Sequence, residues 1–208
     1  DSTMGWNDVF IDSLSLLEWA QGIEEQVNAC CQASSSYDHE DIEILPATFY
    51  EFIVPNGVYS VEISMSAGTG AQGQGTTNCP YGSGFAGGCG GGLGGYVRAL
   101  VNCSPGDSLI IQTGYTPESP APFNSCGIGA NGDNGADSYL AINGYTVLEV
   151  TGGQGGLGVH CSCGNALYSC SNLGWVPSNG AVLGPYPNSG VFILETSLGG
   201  EGHCRIRY

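Results

Sequence analysis

The chain has 208 residues, among them 36 glycines and 10 cysteines, and sets 19 acidic side chains against three arginines and no lysine. A net charge of −16 repels nucleic-acid phosphates and anionic lipid and argues against both as partners. No apolar run approaches the ~20 residues that span a bilayer as a helix, whereas a single domain of this length can bury a substantial core.

Residues 1–45 read as a helical arm followed by an acidic linker, and residues 46–208 as a glycine-rich β domain. In the arm, Leu16, Ala20, Ile23, Val27 and Cys30 alternate spacings of four and three, the stripe of an amphipathic helix. Ser15 with Glu18 offers a capping box, with Asn7 and Asp12 as rival starts. Trp6, Phe10, Leu14, Leu17 and Trp19 widen the apolar surface beyond one seam. Such an arm either packs on its own domain or docks on a neighbouring subunit. The second reading makes Trp6, Phe10, Leu14, Leu17, Trp19, Ile23 and Val27 subunit-contact residues. Cys30 and Cys31 are adjacent, a geometry that resists bonding to each other and favours two separate partners. Ile42, Ile44 and Leu45, before Pro46, suit a short edge strand or an arm.

The β domain opens at Phe49–Ile53. Tyr59, Val61, Ile63 and Met65 then alternate with Ser60, Glu62 and Ser64, the period of a strand with one buried face. Val97, Ala99, Val101 and Cys103 repeat the pattern, and Pro105-Gly106-Asp107 turns the chain into Leu109–Ile111. Tyr115–Pro122, with three prolines, reads as a surface loop. Asn131–Asp137 clusters oxygen donors in the manner of a polar turn; it lacks the bidentate Glu and the spacing of an EF-hand calcium loop. Asn143-Gly144 between apolar runs predicts a two-residue hairpin. After a second glycine patch at 152–158 and a cysteine-rich loop at 161–170, Gly190–Glu195 reads as a buried strand and His203–Tyr208 as a closing one. The expected fold is mainly β: a disulfide-stapled, jelly-roll-like β-sandwich with glycine-rich loops and an N-terminal amphipathic helix.

Cysteines 30, 31, 79, 89, 103, 126, 161, 163, 170 and 204 are even in number and contain no Cys-x-x-Cys, and Cys161-Ser162-Cys163 is too close for a zinc pair. All ten are therefore expected in disulfides, which places the protein outside the cell; a start at Asp1 suits removal of a signal peptide and a fragment boundary equally. Glycine at this frequency raises the entropy lost on folding, and crosslinks offset that loss. No Gly-x-y period runs through the chain, which excludes collagen.

The run Val54-Pro55-Asn56-Gly57-Val58, the tract Gly90-Gly91-Gly92-Leu93-Gly94-Gly95-Tyr96, the strand from Val97, and Pro105-Gly106-Asp107-Ser108-Leu109-Ile110-Ile111 with Gly114 carry a resemblance. Together they look like the glycine-rich β domain of phage tail-fibre tips and extracellular adhesin or fibre proteins, over residues 49–114 with weaker echoes to 156. The resemblance implies a non-catalytic surface module. The many cysteines and the N-terminal arm depart from that pattern.

No catalytic motif is legible. His39, His160 and His203 are scattered, no Gly-x-Ser-x-Gly elbow occurs, and neither Gly68-Thr69-Gly70 nor Gly73-Gln74-Gly75 leads into the lysine of a phosphate loop. His160 beside Cys161 and His203 beside Cys204 would suit a metal only with reduced thiols, so no metal or cofactor is expected. Asn102-Cys103-Ser104 makes Asn102 a candidate glycosylation site. The sequence points to a secreted structural subunit of an extracellular filament or surface assembly, joined head-to-tail to copies of itself through the arm. The alternative is an adhesin or tail-fibre-tip module that grips a surface glycan or receptor through Tyr81, Phe85, Trp175 and Tyr186.

Overall fold

The computed structural model describes residues 40–76, 87–123, 127–162, 165–168, 177–186 and 189–208. The chain divides into residues 1–39 and 40–208. The expected N-terminal helix and its seven contact residues thus lie outside the described residues.

Thirteen strands are described: β1 (Asp41–Ile44), β2 (Phe49–Ile53), β3 (Ser60–Ser66), β4 (Gly95–Asn102), β5 (Ser108–Gln112), β6 (Gly127–Ile128), β7 (Ser138–Ile142), β8 (Tyr145–Val150), β9 (His160–Ser162), β10 (Asn165–Tyr168), β11 (Val182–Leu183), β12 (Val191–Leu198) and β13 (Cys204–Arg207). Ten of them form two antiparallel five-stranded sheets, ordered β1-β13-β3-β4-β12 and β11-β8-β7-β5-β2. The remaining three, β10-β9-β6, make a small separate sheet. Ile42 and Ile44 enter the first sheet opposite Ile206 and Cys204, so residues 41–44 belong to the β domain rather than to the linker.

The alternation read from the sequence places the core. Val61, Ile63 and Met65 of β3 and Val97, Ala99 and Val101 of β4 are fully buried, and β13 adds Cys204 and Ile206. They share one cluster with Leu109, Ile111, Leu140, Leu148 and Val150 of the second sheet. Burying each Val, Ile, Leu or Met side chain of this cluster contributes about 1.5–3 kcal/mol before entropy is counted. The β7–β8 hairpin forms as expected: Asn143 at φ 48° and Gly144 at φ 84° are the two positive-φ residues of a type I′ turn.

Two expected strands differ in burial. Tyr59 lies just before β3 and is 68% exposed, so it does not extend the buried row. Among the described strands β12 is an edge strand paired to β4, and of its residues Val191 alone is buried. Its apolar sequence gives it strand propensity, but an edge strand lacks a neighbour to cover its second side.

The glycine-rich stretches are not loops. Segment 67–76 continues β3, 87–94 returns to β4, 113–123 continues β5, 129–137 returns to β7, 151–159 continues β8, and 178–181 returns towards β11. These six segments run side by side as a hydrogen-bonded bundle, and a period of three is plain along 69–74 and 151–156. Along 69–74, successive backbone N–H groups donate in rotation to three neighbours: Thr69 to Thr116 Oγ1, Gly70 to the Gly92 carbonyl, Ala71 to that of Asp133, then Gln72 to Ser119 Oγ, Gly73 to Cys89 and Gln74 to Ala130. Residues 151–156 repeat the rotation, towards Ala181, Asp137, Gly68, Ser178, Asn134 and Ala71. Three residues per turn with no hydrogen bonds inside a segment is the polyproline II geometry. The proline-containing segment 113–123, expected as a surface loop, is one element of this bundle, in parallel register with 67–76.

Close packing explains the glycines. A Cβ on Gly155 would sit 1.9 Å from the Gly132 carbonyl oxygen, and one on Gly132 would sit 2.2 Å from that of Ala71. Neither residue has the positive φ that favours glycine in a turn. The missing side chain is needed here for backbone approach, as at the axis of collagen.

Candidate functional site

Segments 129–137 and 151–159 show how local sequence builds the bundle. Gly129, Gly132 and Gly135 form one row against segment 67–76. Asn131, Asn134 and Asp137 form the next row, and their Oδ1 atoms accept hydrogen bonds from the backbone of Gly158 (3.1 Å), Gly155 (2.9 Å) and Gly152 (2.7 Å). The oxygen cluster noted in the sequence is therefore a ladder of side-chain acceptors, and these three oxygens are engaged by amides. Gln74 acts in the same way, accepting from the Ala130 N–H and donating to the Ala121 carbonyl. Gln154 accepts from Ser178, and Asn179 from Leu93. Among the described residues no group of three or more His, Cys, Asp or Glu side chains is placed to hold a metal ion.

The cysteines need a correction. Cys89 is disulfide-bonded, but Cys103 and Cys204 carry free thiols, so the expectation of ten oxidised cysteines does not hold for these two. Cys204 points into the core of the first sheet, and burial pushes its thiol up to about 12. Strand alternation sends the neighbouring His203 to the opposite, exposed side, so the two cannot ligate one ion. His203 Nδ1 lies 3.4 Å from Ser66 Oγ instead. Cys103 is half-buried, and its thiol is raised by burial and by the Asp107 carboxylate. Cys30, Cys31, Cys79, Cys126, Cys163 and Cys170 lie outside the described residues, as do Tyr81, Phe85 and Trp175. Cys161 belongs to β9. Asn102 is exposed at the end of β4, while its backbone N–H donates to Gly190. Tyr186 is 43% exposed.

Two surfaces of the sandwich stand out. The first is the outer face of the first sheet, where all three arginines of the chain converge. Arg98 binds Glu62 through two hydrogen bonds of 2.8 and 2.9 Å. Arg205 and Arg207 both bind Asp41. Their guanidinium groups hold the Asp41 and Glu62 carboxyls below the ordinary carboxylate range, chiefly through these hydrogen bonds. A cleft of about 290 Å³ opens among Glu62, Ser64, Tyr96, Arg98, Glu195 and Arg205. Its arginines are already matched by carboxylates, which leaves no excess positive charge to attract an anion.

The second is the seam between the sheet edges. A groove of about 370 Å³ runs between β11 and β12, lined by residues that include Ala181, Val182, Ile193, Thr196 and Leu198, and none of the described residues lining it is charged. Along β11 and β12, Leu183 is 44%, Phe192 56%, Leu194 53% and Leu198 50% exposed, with Phe192 on the side of β12 that faces away from Ile193. Sequence reasoning missed this surface because β12 reads as a core strand, and only its place in the strand order exposes it.

The described β domain is thus a two-sheet antiparallel body that carries a glycine bundle. No protein-family model matches the chain, and no curated protein sequence matches it. No described helix is long and apolar enough to cross a membrane.

Proposed function

We propose that the protein is a structural subunit of an extracellular filament or surface assembly, and that it joins copies of itself head-to-tail through its N-terminal arm. The observation that carries this reading is the unlike character of the two edges of the first sheet. β1, the edge that the arm leads into, is four residues long and carries Asp41 and Glu43. β12, the opposite edge among the described strands, is eight residues long and mostly apolar, without lysine or proline, and it carries one charge, Glu195, next to a register shift. One edge supplies a segment and the other a receiving surface, which is the requirement for a heterologous contact that propagates unless rotation closes a ring. The disulfide at Cys89 and the cysteine-rich sequence favour an oxidising location.

A second reading, a module that binds a surface glycan or receptor, is favoured by the bundle. Six laterally bonded segments make a platform. Rigid scaffolds that position loops are the common basis of recognition. Negative-stain imaging of the full chain over a concentration series separates the two. The structural-subunit reading expects polymers whose length grows with concentration. Monodisperse particles that bind an immobilised glycan support the second reading instead.

A further inference from the structure

We propose that Asn102 carries an N-linked glycan whose first sugars lie over the exposed ring of Phe192, on the outer face of the first sheet. Asn102-Cys103-Ser104 is the only Asn-x-Ser or Asn-x-Thr sequence in the chain, and this is the acceptor motif for transfer from a lipid-linked oligosaccharide diphosphate. In that step Asn102 Nδ2 bonds to the anomeric carbon of the sugar and gives up a proton. The bond from that carbon to the diphosphate oxygen breaks, and the lipid diphosphate leaves. The inference shares with the assembly reading only the extracellular location.

Local structure suits the modification. β4 sends Val97, Ala99 and Val101 into the core, so Arg98, Leu100 and Asn102 share the outer face. Asn102 is exposed, and among the described residues nothing engages its side-chain amide. By contrast, Asn131, Asn134, Asn143 and Asn179 each accept a backbone N–H through Oδ1. The neighbours of Asn102 across the sheet are Ser60 and Gly190, two of the smallest residues, so neither crowds a branch at this position. Cys103 carries a free thiol packed against the core, and no crosslink therefore holds the middle of the motif. Ser104 is exposed, and it is its backbone N–H, not its hydroxyl, that bonds to Asp107.

The register of β12 gives the sugars a surface to rest on. Phe192 stands directly opposite Leu100, and Leu100 is two residues from Asn102, so all three point to one side. Phe192 is thus the diagonal neighbour of Asn102, a separation of about 7–8 Å that one sugar ring can bridge. Its ring is 56% exposed and lies on the side of β12 away from the groove. A pyranose offers an apolar C–H face that packs on an aromatic ring while its hydroxyls stay in water. Ser60 and Glu62, on the same face, offer hydrogen-bond partners to those hydroxyls. A glycan placed here also covers the start of β12, an edge strand with neither lysine nor proline to protect it.

The test is intact-glycopeptide mass spectrometry of the full chain purified from its natural source. The expected result is hexose and N-acetylhexosamine mass on the peptide that holds Asn102, absent from a Ser104→Ala variant secreted by the same cells. An unmodified Asn102 peptide, or a Ser104→Ala chain that keeps the added mass, would overturn the proposal and leave the assembly reading standing. Hydroxyl-radical footprinting before and after glycosidase treatment then locates the sugars. Labelling of Phe192 is expected to rise severalfold on their removal, while that of Tyr145, exposed on the β7–β8 hairpin, stays constant. Equal labelling of Phe192 in the two states would overturn its contact with the glycan.

Discussion

Gly155 and Gly90 carry opposite expectations although both stand in the bundle. A methyl group on Gly155 meets the Gly132 carbonyl at 1.9 Å, whereas one on Gly90 meets nothing within 4 Å. Gly155→Ala is expected to destabilise by about 1–3 kcal/mol or more through overpacking, and Gly90→Ala to be neutral or stabilising by up to about 1 kcal/mol through the unfolded state. Urea denaturation of the two variants checks the pair, and equal effects would contradict the bundle. Asn134→Ala leaves the Gly155 N–H without its acceptor, and a loss of about 1–3 kcal/mol is expected in the same measurement. The thiols give a second check at this scale. Alkylation of unfolded, unreduced protein followed by peptide mass spectrometry should modify Cys103 and Cys204. Cys204 should stay unmodified in the native state, because it is fully buried and its thiol is pushed up to about 12.

Among the elements, those with local signatures were legible and those defined by neighbours were not. The Asn143-Gly144 turn announces itself, and the structure adds its anchoring: the Asn143 side chain accepts from the Ser108 N–H and donates to Asp107. A valine at Gly144 would meet open space, so its cost is the backbone strain of φ 84°, about 1–2 kcal/mol, readable as a lower melting temperature. The alternation in β3 and β4 likewise identified the core face. β12 misled because propensity reports the strand and not its place in the sheet. The bundle escaped for a subtler reason. Its triplets are short, at 129, 132 and 135 or 152, 155 and 158, and they are interrupted by strands, so no period spans the chain. The partner residues of each row are distant in sequence, as with Asn134 and Gly155, and composition alone cannot pair them. The spacing of Asn131, Asn134 and Asp137 in step with the glycines was the available signal.

For the whole molecule, charge is the governing quantity. Sixteen net negative charges oppose compaction, while the Arg98–Glu62 pair and the Asp41 pairs stitch the outer face of the first sheet. Because Arg98 holds the Glu62 carboxyl below its ordinary value of 4.5, the stabilisation from this group is fully present above pH 4.5 and is lost as pH falls through the lowered value. Glu62→Gln should therefore melt slightly below wild type at pH 7, and the difference should vanish in more acidic buffer; a difference that is independent of pH would contradict the pairing. Self-repulsion also bears on assembly, since copies with this charge associate only through surfaces that carry little of it, and added salt should promote association by screening. The described core cluster draws on residues between Ile44 and Ile206, and the account expects the arm to serve assembly. Removal of residues 1–29 therefore separates folding from assembly, and sedimentation velocity of this truncated chain beside the full one is the most direct test. A folded monomer from the truncated chain, at concentrations where the full chain sediments as polymer, is the predicted result; a truncated chain that polymerises like the full one would contradict it.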